Sequence, residues 1–228
     1  MERTIKVKCS ASCGDIVYSL IAVKQLSKKH NAKVTYYIHH NDGHYSKHRS
    51  VNTYEQLKRL LEYQDYISEC LPYTGGQLDY DLDKFRRVPL PFATTPLPWK
   101  FLDAVGLERF HGWDAPWLKP MQTHFFHGKK VLNVTTRYQN YSVDFRTLCN
   151  VKDTIFIGLE NEHKRYPEFE AWVHNDLYDI ATTLAGAKAL YCNQSVLLTL
   201  AQGLGITSYL AKDNKFNNTL VGHKTTVL

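Results

Sequence analysis

Residues 10–30 read SASCGDIVYSLIAVKQLSKKH, and they place an aspartate where a helix begins. Ile5 and Val7, just upstream, have the alternation of a short strand, and the small residues Ser10 to Gly14 make a turn. Beyond it Ile16, Val17, Leu20 and Ile21 recur at helical spacing, with Lys24 at the margin of the face. Lys28, Lys29 and His30 gather where the negative end of the helix dipole would lie. The unit is therefore strand, glycine turn, helix. A helix N-terminus after such a turn offers unpaired amides to an anion. Asp15 either caps this helix or serves chemistry beside a bound phosphate, and these residues alone leave both roles open.

The same alternation continues along the chain. AKVTYYIHH (32–40) is β-rich and runs into a polar, glycine-containing loop, and VNTYEQLKRLLEYQ (51–64) is helical, which makes a β-α-β-α start. Residues 71–120 are rich in Pro, Gly and Trp with few clean periods, so irregular structure with short helices is expected, one of them at PWKFLDAVGL (98–107) closed by Gly106. A second regular series starts at KKVLNVTTRY (129–138) and continues through TIFIGLENE (154–162). It closes with a helix face at Leu177, Ile180, Ala181, Leu184 and Ala185 ended by Gly186, a buried strand KALYC (188–192) and a helix SVLLTLAQGLG (195–205). The last helix has its N-terminus at Asn193, Gln194 and Ser195. Two α/β lobes, 1–120 and 121–228, are expected to face a cleft, because ligands of open α/β sheets sit at the carboxyl ends of the strands.

Bulk properties narrow the class. A chain of 228 residues accommodates two small domains, and with 43% hydrophobic and 22% charged residues it contains no apolar run near the ~20 residues that span a bilayer. The charged N-terminus lacks the apolar core of a secretory signal, which implies a cytoplasmic protein, in a host cytoplasm if the source is viral. Five scattered cysteines without a C-x-x-C pair fit reduced thiols and no structural metal. His40, His44 and His48 stand four apart, but Asp42 and Gly43 break any helix there, so a polar loop is expected rather than a zinc site. Cys13 has no nameable His-Asp partner and reads as a turn residue. Trp99, Trp113 and Trp117 read as packing residues. The net charge of +6 suits a phosphate-bearing ligand or a polyanion and equally an ordinary surface.

In chain order, GDIVYSLIAVKQL (14–26), DYDLDKFR (79–86), PWL (116–118), NVTTRYQN (133–140), FIGLENEH (156–163) and the stretch from Asp176 to Ile206 together resemble the GT-B glycosyltransferases, nearest to the heptosyltransferase-like family nine and to its compact phage and bacterial members. The resemblance implies an α/β protein of two Rossmann-like lobes, an acceptor-side lobe followed by one that binds the nucleotide-sugar. It implies inverting, metal-independent transfer of a sugar, with no cofactor beyond the nucleoside diphosphate sugar donor.

Within that family the aspartate of the Gly-Asp turn acts as general base on the acceptor hydroxyl, which assigns the role to Asp15. The donor would be met by Gly14, by Thr135, Thr136, Arg137, Tyr138 and Asn140, by Gly158, Glu160 and Glu162, and by Asn193, Gln194 and Ser195. Arg137 and the amides at Gln194 and Ser195 suit the diphosphate, and Glu160 or Glu162 a ribose hydroxyl. Cys192-Asn193-Gln194-Ser195 departs from the Gly-Asn-Asp-Ser turn of many members, and an amide in place of that carboxylate argues against heptose as the sugar. A surface glycan or a modified DNA base is the expected acceptor. The rival readings are a nucleotide-sugar binding protein without chemistry and a basic nucleic-acid interaction protein.

Overall fold

A computed structural model describes residues 3–39, 53–91, 94–111, 113–123, 126–139, 141–213, 221–222 and 224–228. The chain divides into two compact units, Met1–Gly112 and Trp113–Leu228.

The first unit opens with β1 (Thr4–Lys8), α1 (Cys13–His30), β2 (Lys33–His39), α2 (Thr53–Glu62) and β3 (Ile67–Tyr73). A two-residue β4 (Tyr80–Asp81), a 3-10 helix (Leu82–Arg87) and α3 (Leu97–Ala104) follow. The strands form one parallel sheet in the order β3-β2-β1-β4. The apolar stripe read from residues 16–21 is buried, together with Leu26 and the remaining inner positions of α1. Each such aliphatic side chain contributes about 1.5–3 kcal/mol through removal from water. Asn31, in the left-handed region at φ 44°, stops α1, its amide meeting the carbonyls of Lys28 and Ser27. The region expected to be irregular is partly ordered. β3 runs to Tyr73 and β4 pairs with β1 through Val7↔Tyr80 and Lys8↔Asp81. α3 ends at Gly106 (φ 64°), whose amide reaches the Asp103 carbonyl while Leu107 reaches that of Leu102.

The second unit contains β5 (Lys130–Asn133), α4 (Phe145–Leu148), β6 (Thr154–Ile157), α5 (Glu160–His163), β7 (Glu170–Trp172), α6 (Leu177–Ala185), β8 (Ala189–Asn193), α7 (Val196–Leu204), β9 (Ser208–Ala211) and β10 (Thr225–Val227). Its six strands are all parallel, in the order β10-β9-β8-β5-β6-β7. Counted from β5 this is 3-2-1-4-5-6, the doubly wound order whose switch point lies between the first and fourth strands, here β5 and β8. Leu132, Val134, Phe145, Cys149, Phe156, Tyr166 and Phe169 form an apolar cluster in this unit. Trp113 and Trp117 are buried, and Pro116 to Leu118 pack on the end of α7. A Cβ added at Gly203 would come within 2.7 Å of Leu118 Cγ, and one at Gly205 within 2.7 Å of Pro116 Cγ. The glycines of α7 are thus the seats for the Pro-Trp-Leu segment.

Candidate functional site

In the second unit, three segments leave the carboxyl ends of neighbouring strands: residues 134–139 after β5, Gly158 to Glu162 after β6, and Asn193 to Ser195 after β8. Asn193, fully buried, spans the switch point. Its Oδ1 accepts from the Thr135 amide at 2.9 Å, and its Nδ2 donates to the carbonyls of Thr135 (2.9 Å) and Tyr138 (2.8 Å). Asn133, at the end of β5, donates to the Ile157 carbonyl at 2.7 Å and so ties the β5 exit to β6. Neither side chain is spare for a ligand through these groups; they set the shape of the crevice.

Around that frame, three buried polar atoms have no hydrogen-bond partner among the described residues: Asn133 Oδ1, Thr135 Oγ1 and Ser195 Oγ. Buried polar atoms are ordinarily paired, so their clustering at one strand edge marks a place for polar contacts from outside the chain. Ser195 is the N-cap of α7 yet makes no side-chain cap bond, which leaves the first-turn amides of this helix without a cap from their own N-cap residue. Thr136 and Arg137 are exposed, and the Arg137 guanidinium lies 5.7 Å from the Tyr138 ring. Arg137 lies on the loop that leaves β5, and β8, the neighbour of β5, leads into α7; an exposed guanidinium and helix-start amides are both groups that receive anions.

The two candidate glutamates separate. Glu160 is exposed and pairs with Lys164 at 3.9 Å, one turn on along α5. Glu162 is only 6% exposed, and its Oε2 accepts from the Leu159 amide at 3.0 Å. Burial raises its pKa above the ordinary glutamate range, against the opposing influence of the amides of Leu159 and Thr136 and of the guanidiniums of Arg137 and Arg165. Gly158 makes room for it, since a Cβ there would lie 3.0 Å from Glu162 Oε2 and 2.8 Å from the Phe156 ring. Gln194 is buried, and its Oε1 accepts from the Asp213 amide at 2.7 Å, joining the β8 turn to the exit of β9. Asn140 lies outside the described residues, as do His40, His44 and His48.

In the first unit Asp15 is the third residue of α1. The Ser12 hydroxyl accepts from the Asp15 amide at 3.3 Å, and Asp15 Oδ2 accepts from the Ser12 amide at 3.3 Å, a reciprocal capping box. Gly14 is in the same turn, and the Cys13 thiol, also within α1, donates to Gln56 Oε1 at 3.3 Å. This unit's switch point, between β1 and β4, is bridged much as the other is. Asp83 Oδ1 accepts from the Ser10 amide at 2.8 Å, with Lys8 3.2 Å from Asp83 Oδ2 and 3.4 Å from Asp81. Sequence patterns pointed to neither Asn133 nor Asp83 as framing residues. The signal for Asn133 was a polar residue closing an apolar strand run; Asp83 had none beyond its place in the quoted motif.

No group of three or more His, Cys, Asp or Glu side chains among the described residues is arranged to hold a metal ion, and no described helix is long and apolar enough to cross a membrane.

No protein-family model matches the sequence, and no curated protein matches it. Solved structures do. The crystal structure of a family 9 glycosyl transferase from Veillonella parvula superposes with a TM-score of 0.68 at 13% identity, over 99% of this chain and 86% of that one. The fold is that of the family 9 glycosyltransferases. The E. coli heptosyltransferase WaaC with ADP-2-deoxy-2-fluoro heptose gives 0.63 at 11% identity, over 99% of this chain and 92% of that one. The E. coli ADP-heptose heptosyltransferase II gives 0.62 at 12%, over 99% and 90%.

Proposed function

We propose that the chain is a glycosyltransferase that moves a sugar from a nucleoside diphosphate donor to an acceptor hydroxyl. The observation that carries this reading is the β5/β8 switch point, where buried polar atoms without a partner among the described residues and the α7 N-terminus, uncapped by Ser195, belong to the exits of two neighbouring strands, with the exposed Arg137 on the β5 exit loop. The likeness of fold to structures described as glycosyltransferases, one of them with an ADP-sugar analogue, supports it.

In this reading the diphosphate lies on the amides of α7 and against Arg137, which stabilise its charge as it departs and leave the reaction no need of a metal. Thr135 and Ser195 donate to it or to the sugar, and Glu160, the exposed carboxylate, meets the ribose. The acceptor oxygen bonds to the anomeric carbon from the face opposite the leaving phosphate, inverting that centre, and Asp15 takes the acceptor proton. The acceptor is a hydroxyl of a glycan or of a modified base.

Binding is tested first, by thermal shift against a panel of nucleoside diphosphates and their sugars, since a ligand selective for the native state raises the midpoint. A selective shift is expected, and none at saturating concentration overturns the reading. Asp15→Asn tests the chemistry cleanly, because the amide oxygen still accepts from Ser12 and preserves the capping box. Turnover should fall by a factor of ~100 or more, the usual contribution of a general base, with donor affinity unchanged. Equal turnover removes Asp15 from the mechanism. The engagement of both Asp15 and Gln194 in internal hydrogen bonds favours one alternative, a nucleotide-sugar binding protein without transfer, for which donor binding would occur with no product from any acceptor.

A further inference from the structure

We infer that Asp83 is a positioning residue for Asp15: it fixes the turn between β1 and α1 through the Ser10 amide, and so sets where the Asp15 carboxylate stands. This rests on the role given to Asp15 above and adds a residue from a distant element that acts through it.

The turn is short and built of small residues, so its own side chains do little to fix it. At its start the Cys9 amide donates to the Tyr37 carbonyl of β2 at 3.1 Å, and α1 begins at Cys13. Between them Ser10 and Ala11 are buried, and a buried amide requires a partner. The Ser10 amide finds one 73 positions downstream, in Asp83 Oδ1 at 2.8 Å. The Ser10 hydroxyl is engaged from β2, where it accepts from the His39 amide at 3.3 Å. Ser10 is therefore clamped by the exits of both strands that flank β1 in the sheet, β2 and β4. Only Ala11 separates it from Ser12, whose hydroxyl and amide hold Asp15 in the capping box and whose carbonyl accepts from the Ile16 amide at 2.8 Å.

Asp83 lies in the first turn of the 3-10 helix, where a carboxylate ordinarily serves the helix's own amides. Here that duty falls to Asp81, the N-cap, which accepts from the Asp83 amide at 3.1 Å. The Asp83 carboxylate turns instead to β1. Its Oδ1 meets the Ser10 amide and lies 3.4 Å from Arg86 Nη1, while its Oδ2 is 3.2 Å from Lys8 Nζ. Lys8 is also 3.4 Å from Asp81, so its charge has a partner without Asp83. Balancing that lysine does not require the Ser10 amide; holding the turn does. A hydrogen bond to an ionised acceptor is about twice as strong as a neutral one, and Lys8 and Arg86 keep the acceptor itself in place. Placement of this order matters to a general base, since an error of about 1 Å costs up to about a hundredfold in rate.

The test uses the full chain in a double-mutant cycle of Asp83→Ala with Asp15→Asn. Turnover is read as release of nucleoside diphosphate from the nucleoside diphosphate sugar that the thermal-shift panel selects. Water, a panel of glycans and nucleosides carrying a hydroxyl on the base are offered as acceptors, at enzyme concentrations that make the residual rate of Asp15→Asn measurable. Amide exchange at Ser10 and the Kd for the nucleoside diphosphate are measured alongside. With Asp15 present, Asp83→Ala is expected to speed exchange at Ser10 and to slow turnover ~10–100-fold at unchanged Kd. In the Asp15→Asn background it is expected to slow turnover no further, because the group that it places is gone. A loss of folded protein alone would lower both backgrounds equally. Asp83→Asn keeps one acceptor oxygen within reach of Ser10 and is expected to lose less than the alanine variant; it carries the same readouts if the alanine variant does not fold. Unchanged exchange at Ser10 overturns the tie. Equal loss in both backgrounds, or faster exchange with wild-type turnover, overturns the positioning role. Wild-type turnover in Asp15→Asn, or no release by wild-type protein that binds the nucleotide, overturns the role of Asp15 and this one with it, while the exchange result still reports on the tie itself.

Discussion

Asn193 shows how much one buried side chain can govern. Three hydrogen bonds run from it to two residues of the β5 loop, so Asn193→Ala takes the acceptor from the buried Thr135 amide and a donor from the carbonyls of Thr135, which Gln139 also reaches, and of Tyr138. A destabilisation of about 2–4 kcal/mol is expected from unsatisfied buried groups, measured by urea unfolding, together with loss of nucleotide binding. A variant of wild-type stability would show that water replaces the amide without cost. At this scale the sequence was partly legible. Asn193, Gln194 and Ser195 stood out because a polar triplet separates a buried strand from an apolar helix. That Gln194 turns to Asp213 could not be seen, because the contact depends on where β9 ends, and a chain read residue by residue has no access to that. The capping box at Asp15 was open to reading, since Ser12 and Asp15 have the three-residue spacing that the motif requires.

At the scale of elements, α7 lies between the candidate site and the Pro116–Leu118 segment. Gly203 lies inside it, where alanine would favour the helix by about 1 kcal/mol, yet its Cβ would approach Leu118 Cγ to 2.7 Å and Trp117 Cε2 to 3.2 Å. Crowding of that kind costs about 1–3 kcal/mol, so Gly203→Ala is expected to lower stability on balance. Thermal unfolding checks the sign, and a rise in midpoint would mean that the Pro-Trp-Leu segment yields readily. The helices and central strands were legible because their apolar periods are local and long enough to count. β4 was not, since two residues acquire strand geometry only by pairing with Val7 and Lys8 some seventy positions upstream. The 3-10 helix after it was hidden for a similar reason: Asp81 caps it by accepting from the Asp83 amide at 3.1 Å, inside a run that reads as charged loop.

Over the whole molecule the five cysteines report on both units at once. All are free; Cys9, Cys70, Cys149 and Cys192 are buried, and Cys13 is half-buried at the start of α1. Burial pushes the Cys149 thiol up to about 11 and the Cys70 thiol up to about 12, so neither supplies thiolate near neutrality. Native protein at pH 8 should therefore react with a thiol reagent at one site quickly, identified as Cys13 by peptide mapping, and at the other four only after denaturation. Rapid labelling of Cys149 or Cys192 would indicate opening of the second unit's core. The two-lobed α/β character follows from the repeated strand-helix periods on either side of residues 71–120. The strand orders do not, because which parallel neighbour a strand chooses is settled by crossovers whose length the periods leave unspecified.

The β5 loop is held by its backbone, through the buried Asn193 side chain at Thr135 and Tyr138, while the side chains of Thr136 and Arg137 are exposed. Shape and chemistry are thereby uncoupled at the crevice. Exchanging those outward side chains would alter which ligand is preferred without disturbing the frame, so new specificities are reachable from this scaffold by single substitutions, each tolerated by the fold before it is useful.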